Sequence, residues 1–266
     1  MVFESLINPF RAERRPLALF FIGFIYTIIS VFLALWIFED YASLVMVFLV
    51  TMFVIPLFYH TMLYEEERLC HKRAIIFFIF MFIGFVFGFV SLYLILPQTT
   101  LTNLFKIQFE TISTLNQEIL AQISSQNLTL RILLNNVKVF SFSILFSFLF
   151  GSGAIFILVW NASVLAAAVG AFIKTQLISF PAPGGFLIAS GLSFLRYGLH
   201  GIPEVTAYFI GGLAGGILSA LIIRKDWHRS EKVILSAGTL IFVALALLVI
   251  AAIIEVYLVP NLFKFG

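Results

Sequence analysis

His200 and Glu204 lie four residues apart in the stretch YGLHGIPEVTAYFIGGLAGG, which is otherwise apolar and rich in glycine. Ionisable side chains are expensive inside a membrane, so their default interpretation there is functional. A proton-sensitive or ligand-binding role is one interpretation, and catalysis is another. The third is structural, because Pro203 suits the first turn of a helix. Glu204 would then meet the positive end of the helix dipole, with His200 as a partner.

Catalysis needs more groups than the sequence offers. A catalytic zinc ion usually has three protein ligands, but no H-E-x-x-H motif occurs, and His60, His71 and His228 fall near the other face. Ser190 and Ser193 do not sit in G-x-S-x-G. A Walker A loop is absent as well, so ATP-driven transport would need another subunit. The sequence therefore predicts no catalytic residue, no metal site and no cofactor. An intramembrane hydrolase ranks third, behind the two functions given at the end of this section.

The amino-acid composition indicates that these residues lie in a membrane protein. Of the 266 residues, 62% are hydrophobic and 11% are charged, far from the usage of a soluble domain. We predict one integral membrane domain over residues 1–266, in contact with the lipid bilayer. Cys70 is the only cysteine, so no internal disulfide and no cysteine-based zinc site can form. The net charge of +3 follows from where the basic residues lie and does not indicate nucleic-acid binding.

Seven apolar runs come near the roughly 20 residues that a helix needs to cross a bilayer. They are residues 16–38, 44–64, 74–96, 132–160, 164–180, 204–223 and 233–257. The first run is too long for a signal-peptide core and is followed by no cleavage site, so we interpret it as a retained span. The predicted fold class is an all-α polytopic membrane protein of the cell membrane.

The basic residues predict the orientation, because short cytoplasmic loops collect lysine and arginine. Three clusters, at residues 11–15, 68–73 and 224–232, should share the cytoplasmic side. If the short apolar stretch 185–200 crossed fully, the last cluster would fall outside. We therefore predict a re-entrant half-helix at 185–200, a cytoplasmic N-terminus and an external C-terminus. Irregular backbone at membrane depth must be surrounded by protein or line a water-filled cavity, so this segment would mark the bundle interior.

One hydrophilic segment, residues 97–131, is predicted to be external. Its apolar residues recur at intervals of three and four, which is typical of an amphipathic helix. This helix either covers the outer ends of the spans, lies on the outer leaflet or packs over the bundle as a lid. Asn127 begins a glycosylation sequon on the predicted outer side, although that motif is frequent by chance.

The motif GGLAGG predicts close helix packing. It contains two overlapping G-x-x-x-G pairs, Gly211 with Gly215 and Gly212 with Gly216. Without side chains, neighbouring backbones approach closely and gain van der Waals contact in a medium that supplies no hydrophobic drive. The partner helix belongs either to the same chain or to another subunit, and the sequence leaves both open.

Polar residues also punctuate the neighbouring spans. Asn135 and Asn136 open the fourth run, and Asn161 stands where the fourth run joins the fifth. Lys174 and Arg196 fall near the outer boundary, where long basic side chains can reach water. Pairing of either cation with the glutamate of the opening stretch is the alternative interpretation.

Several of these motifs follow one another in a fixed order over residues 135–221. They are Asn135 with Asn136, Gly151, Asn161 with Gly170, and the unit of His200, Gly201 and Glu204 leading into Gly212, Ala214 and Gly215. This order resembles the stage II sporulation protein M family, whose core would include the predicted segment 185–200. The resemblance implies a non-enzymatic membrane component, which in spore-forming bacteria works with membrane-anchored peptidoglycan-degrading partners. No marker of sporulation is present here, and relatives occur in organisms that form no spores, so that role is not carried over.

Two functions stay open. The first is a non-enzymatic membrane scaffold or remodelling component, which assembles with itself or with a membrane-protein partner through the glycine-rich helices. In that case His200 and Glu204 hold the broken-helix region in shape. The alternative is a channel or transporter subunit for ions or small solutes, in which Glu204 is a coordinating or protonatable group.

Overall fold

The computed structural model describes residues 16–68, 72–120, 128–150, 153–180, 184–225 and 227–262. Within these ranges the backbone is almost entirely helical and contains no β-strand. Seven helices are long and apolar enough to cross a bilayer. The protein is thus all-α and polytopic, as its apolar runs predict. Asn127, Cys70, Gly151 and the basic cluster at 11–15 lie outside the described ranges.

Short connections join most of the helices. In chain order these are α1 (Pro16–Ile37), α2 (Ala42–Arg68), α3 (Lys72–Ile95), α4 (Gln98–Leu104), α5 (Lys106–Leu120), α6 (Leu128–Phe150), α7 (Gly153–Ser179), α8 (Gly185–Ser193), α9 (Leu199–Arg224), α10 (Ser230–Ile253) and α11 (Val259–Leu262). Two π-helical segments, Phe194–Gly198 and Ile254–Leu258, join α8 to α9 and α10 to α11. Single 3₁₀ turns, Glu39–Tyr41 and Trp227–Arg229, precede α2 and α10.

The join between the fourth and fifth spans differs from the prediction at Asn161. Helix α6 ends at Phe150 and α7 begins at Gly153, so the join falls at residues 151–152. Asn161 lies inside α7, where its Nδ2 donates a hydrogen bond of 2.7 Å to the carbonyl of Ile157. Because a polar side chain that bonds its own helix satisfies itself in lipid, it does not mark a helix end.

The stretch 185–200 is not a re-entrant half-helix. Helical backbone continues without a break from Gly185 through the first π segment to Arg224, so the stretch extends the sixth span at its N-terminus. The basic residues at 224–232 therefore still follow six crossings, as the parity of the loops requires. The forty residues of this continuous helix rise about 60 Å, twice the ~30 Å of a bilayer core. Part of it must therefore bend, tilt or project from the core.

Two pairs of parallel helices pack backbone against backbone. In the first pair, Gly84 of α3 lies against the carbonyl of Phe20 in α1. In the second, Gly215 of α9 lies against the carbonyl of Ile144 in α6. A Cβ at either glycine would overlap the facing backbone, which is why these helices need glycine there.

The two pairs meet at the centre of the bundle. Phe209 of α9 stacks on Phe78 of α3 with ring centroids 5.1 Å apart. Helix α7 packs against α2 and α3, whereas α10 packs against α6 and α9. The last span therefore lies beside the second parallel pair.

The amphipathic segment enters the bundle at its N-terminal end. We call residues 98–108, which comprise α4 and the start of α5, the cap. Four cap side chains are completely buried: Leu101, Leu104, Phe105 and Gln108. Gln108 accepts a hydrogen bond of 2.7 Å from Ser43 Oγ and donates one of 3.1 Å to Ser163 Oγ. The cap thus joins α5 to α2 and α7.

Candidate functional site

Glu204 and Tyr208 form the centre of a polar cluster on α9. The Tyr208 hydroxyl donates a hydrogen bond of 2.6 Å to Glu204 Oε1, because residues four apart share a helix face. Tyr208 is 1% exposed and Glu204 is partly buried. His200 lies one turn before Glu204, so three polar side chains follow one another along the same face.

The dipole explanation for Glu204 does not hold. Pro203 lies inside α9 and not in a first turn, since helical backbone already begins at Gly185. The dipole acts only within the first turn of a helix, so it gives the carboxylate no stabilisation here. Pro203 instead leaves the carbonyl of Leu199 without its usual amide donor, which weakens the helix in the turn that contains His200.

A second carboxylate, Glu255, approaches from the last span. It lies in the π segment Ile254–Leu258, which packs against α9, the helix that contains Glu204 and Tyr208. Glu255 extends the buried stripe of α10, whose previous members are Ala244, Leu248, Ala251 and Ala252. Single π turns in helices occur frequently at functional sites. Here one π segment contains Glu255 and the other ends just before His200.

Asn136 of α6 faces the same cluster. The face of α6 against α9 contains residues at intervals of three and four: Asn136, Phe140, Ser143 and Ser147. Ser143 Oγ donates to the carbonyl of Tyr208, so two turns earlier in these parallel helices Asn136 comes to the level of Gly201, between His200 and Glu204. Asn136 is 4% exposed, and its amide nitrogen has no hydrogen-bond partner among the described residues.

The cluster lacks a basic partner within the described part of the chain. Glu204 accepts a hydrogen bond from Tyr208, and the π segment that contains Glu255 packs against its helix. Lys174 Nζ lies over the ring of Tyr93 at 5.1 Å, and the Arg196 guanidinium lies over the ring of Phe172 at 5.2 Å. The structure thus places both cations over aromatic rings, and their pairing with Glu204 stays a prediction.

His200 is not the partner of Glu204 either. It is partly buried, and its Nδ1 has no hydrogen-bond partner among the described residues. The hydrogen bond that Glu204 receives comes from Tyr208, one turn after it on the same helix face. The expected histidine–glutamate pair is thus a glutamate–tyrosine pair with an imidazole beside it.

Of the other predicted site residues, some are exposed on the surface and some pack between helices. Asn135 is exposed beside the buried Asn136. A Cβ at Gly201 would meet nothing within 4 Å, so packing does not require glycine there. Gly216 is buried in α9. Three further glycines of the motif lie against side chains or backbone of α6 and α7 in the same chain: Gly211, Gly212 and Gly215.

Sequence reasoning missed Glu255 and Tyr208. A signal for Glu255 was present, since IAAIIEVYLVP places a carboxylate inside the last apolar run, and such residues are rare in membranes. Tyr208 stands four residues after Glu204, the spacing at which side chains meet on a helix. What the sequence did not show is the alignment of the last two spans, which brings Glu255 to the level of Glu204.

The chemistry available to the cluster is that of binding and proton exchange. Its five side chains, from three helices, are two carboxylates, a phenol, an imidazole and an amide. Among the described residues, no group of three or more His, Cys, Asp or Glu side chains is placed to hold a metal ion. The hydroxyls of Ser143 and Ser147 donate to carbonyls of α9 and serve packing. Carboxylate, phenol and amide oxygens are hard ligands of the kind that small cations prefer.

These features define a polytopic membrane protein with a polar cluster between its last spans. The chain belongs to the Stage II sporulation protein M family, whose model matches residues 75–260. An uncharacterized protein of Methanocaldococcus jannaschii is 28% identical over 185 residues, which cover 68% of this chain and 89% of that protein. No solved structure matches the chain. All five side chains of the cluster fall within the range of the family model.

Proposed function

We propose that this protein is a membrane transport component that binds protons or a small inorganic cation at the cluster of Asn136, His200, Glu204, Tyr208 and Glu255. One observation carries the proposal. The π segment that contains Glu255 packs against α9, which contains Glu204, so two membrane-spanning helices each bring a carboxylate to this contact. Intramembrane carboxylates of this kind mark ion pathways and proton relays.

The cost of buried charge is the physical reason. An ionised carboxylate taken out of water costs several kcal/mol unless it is paired and hydrogen-bonded. Glu204 has one hydrogen bond, from Tyr208, and its charged neighbour has the same sign. Neutrality therefore requires protons or a bound cation. Protons and a bound cation both supply positive charge at the carboxylate pair. The amide of Asn136 offers a further ligand.

Among the described residues, the side chains that α6, α9 and the last span contribute to the cluster include no lysine or arginine. From α9 the titratable groups are His200, Glu204 and Tyr208, and from α10 there is Glu255. Helix α6 contributes the neutral amide of Asn136, because Lys138 lies on its exposed side. A cation that enters the cluster thus meets an uncompensated negative site unless His200 is protonated.

We infer that the N-terminus is cytoplasmic and the C-terminus external. Seven spans place the two ends on opposite sides and bring the basic residues at 68–73 and 224–232 to one side, where the charge rule favours the cytoplasm. Glu204 lies twenty residues from Arg224, about 30 Å along the helix. The cluster would then open toward the external end of the bundle.

A membrane scaffold is the second candidate function. It agrees with the membrane location and the family as well as the transport function does. Its expected docking face has lost support, because the glycines of GGLAGG pack inside the chain on α6 and α7. A homo-oligomer or a complex with a membrane-protein partner would need another face of the bundle. In a pure scaffold, an uncompensated carboxylate pair at membrane depth would have no use.

Flux measurements in vesicles test the proposal. The purified chain is reconstituted in liposomes, and gradients of protons, Na⁺, K⁺ and Mg²⁺ are followed with ion-sensitive dyes. We expect flux of at least one ion above that of empty vesicles, and its loss in Glu204→Gln and in Glu255→Gln. Glu231→Gln, at an exposed glutamate near the other end of α10, is the matched control and should retain the flux.

Two results would overturn it. The first is the absence of flux for all four ions from a correctly folded wild-type protein. The second is equal flux in the wild type and in both variants of the cluster. If wild-type flux is present, loss in Glu204→Gln with normal melting behaviour separates a binding role from a structural one.

A further inference from the structure

We propose that the turn between α9 and α10 binds the phosphate headgroups of anionic lipids. We call residues 224–232, from the end of α9 to the first turn of α10, the basic turn. It lies at the end of α9 that points away from the polar cluster. Its binding of lipid is independent of whether that cluster takes up a cation.

Positive charge is concentrated in the basic turn. Its sequence, RKDWHRSEK, contains four lysine and arginine residues and one histidine against two carboxylates. The turn between α1 and α2, which follows one crossing where the basic turn follows six, contains Glu39 and Asp40 instead. A membrane surface rich in anionic lipid attracts basic segments that lie directly beside a span. The charge of the basic turn thus complements such a surface.

Exposed apolar side chains set the depth of the basic turn in the membrane. Ile223 of α9 is 76% exposed and Leu235 of α10 is 71% exposed, so lipid has to cover both. Between them, Trp227 is 60% exposed. Tryptophan is enriched at the boundary of membrane and water, where its ring sits at the level of the headgroups. The basic turn therefore lies among the lipid phosphates, which favours lipid over a soluble acidic partner.

Lys225 has a backbone conformation that lysine rarely adopts. Its φ is 56° and its ψ is 30°, in the left-handed region, and its amide donates to the carbonyl of Ile222 at 3.3 Å to cap α9. Among the described residues, no other non-glycine residue has a positive φ. Glycine and asparagine are usual at such a cap because they adopt this conformation with little strain. Strained residues of this kind cluster at functional sites, so a lysine here indicates a use for its charge.

Helix dipoles explain only part of the positive charge. Arg224 lies in the last turn of α9, where the negative end of the dipole favours a cation. Lys232 lies in the first turn of α10, where the positive end disfavours one. An anionic headgroup beside the turn would make the charge of Lys232 favourable.

Hydrogen bonds give the basic turn a defined shape. The amide of Trp227 donates to the carbonyl of Lys225 at 3.0 Å, and Ser230 Oγ donates to the carbonyl of Trp227 at 2.8 Å. A turn that is already ordered loses little conformational entropy when a headgroup binds. Hydrogen bonds from basic side chains to phosphate are also stronger than those between neutral groups.

Quenching by brominated lipids tests the proposal, with Trp227 as the fluorescent probe. The other two tryptophans are replaced in Trp36→Phe and Trp160→Phe. The protein is then reconstituted in phosphatidylcholine vesicles that contain increasing fractions of brominated phosphatidylglycerol or brominated phosphatidylcholine. The matched control protein retains Trp36 alone, which is 82% exposed and lies just before Glu39 and Asp40.

We expect brominated phosphatidylglycerol to bind beside Trp227 about tenfold more tightly than brominated phosphatidylcholine, with no such preference at Trp36. Lys225→Gly and Lys232→Gln should each reduce the preference about fivefold, and higher salt should weaken it. Lys106→Gln, at an exposed lysine on the opposite side of the membrane, should leave it unchanged. Because glycine adopts the left-handed conformation freely, Lys225→Gly should keep its melting temperature.

Three results would overturn the proposal. Equal quenching of Trp227 by the two lipids would do so and would leave a soluble acidic partner as the ligand of the basic turn. A preference that survives both Lys225→Gly and Lys232→Gln would show that the turn does not cause it. Relief of the quenching by millimolar inorganic phosphate at constant ionic strength would show that the turn takes free phosphate and not lipid.

Discussion

The hydroxyl of Tyr208 donates a hydrogen bond of 2.6 Å to Oε1 of Glu204, one helical turn before it. This bond holds the carboxylate on the face of α9 that also meets Glu255. Tyr208 therefore orients Glu204, and the strength of that orientation can be measured.

We expect Tyr208→Phe to weaken cation binding about tenfold or more, because a hydrogen bond to a charged group contributes roughly 1.5–3 kcal/mol. Titration calorimetry with the ion that shows flux measures the change in affinity. Tyr257→Phe, at an exposed tyrosine of the last span, is the control. An equal effect of both substitutions would contradict the orienting role of Tyr208.

Asn136→Leu should raise stability and lower binding together. The buried amide nitrogen of Asn136 has no hydrogen-bond partner among the described residues, and leaving such a group unpaired costs about 1–3 kcal/mol. A leucine of similar size removes that cost and also removes a polar ligand. Melting in detergent and ion titration measure the two effects. Asn135→Leu, at the exposed neighbour, should change neither, and a lower melting temperature in Asn136→Leu would show that the amide is structural.

Gly215→Ala should destabilise the protein by about 1–3 kcal/mol, the usual cost of overpacking a core. The new methyl group would overlap the carbonyl oxygen of Ile144 and push α6 away from α9. Gly238→Ala is the matched control, because a Cβ there meets nothing within 4 Å. The free energy of unfolding in SDS, measured at a fixed detergent concentration, compares the two variants. If both substitutions left stability unchanged, the parallel contact between α6 and α9 would be wrong.

Gln108→Leu should release the cap from the bundle. The substitution leaves the Ser43 hydroxyl and carbonyl and the Ser163 hydroxyl without the bonds that Gln108 supplies. Ser43 Oγ still accepts from the amide of Ile107, and the Ser163 hydroxyl still donates to the carbonyl of Trp160, so the total cost is about 1–3 kcal/mol. Hydrogen exchange over residues 98–108 should accelerate, while Gln98→Leu, at an exposed position, should not change it. Unchanged exchange in Gln108→Leu would show that the apolar cap side chains suffice.

The seven spans could be predicted because hydrophobic length is a property of each segment by itself. Asn161 misled the placement of one join, since a polar residue in an apolar run has the same sequence signature at a helix end and in mid-helix. The segment 185–200 was misinterpreted because it was taken as separate from the apolar run at 204–223, whereas the two form one continuous helix. Helical backbone continues past Arg196 and Pro203. Arg196 lies in a π segment, and Pro203 lies inside the helix at the cost of one backbone hydrogen bond.

The candidate site was predicted only in the part that lies on one helix. His200 and Glu204 stand out because both are close in sequence and rare in such surroundings. Glu255 and Asn136 join them through the pairing of α9 with α10 and with α6, which no single segment reveals. The glycines indicated close packing correctly, but the choice between the same chain and another subunit depended on the tertiary contacts.

The cap also constrains the order in which the protein can be assembled. Gln108 bonds Ser43, which is synthesised 65 residues before it, and Ser163, which is synthesised 55 residues after it. During synthesis the amide of Gln108 can therefore find its first partner early, but its second appears only after α6 and half of α7 have left the ribosome. The cap therefore cannot close completely before the fifth span is made, and its closure joins the early helices to a later one.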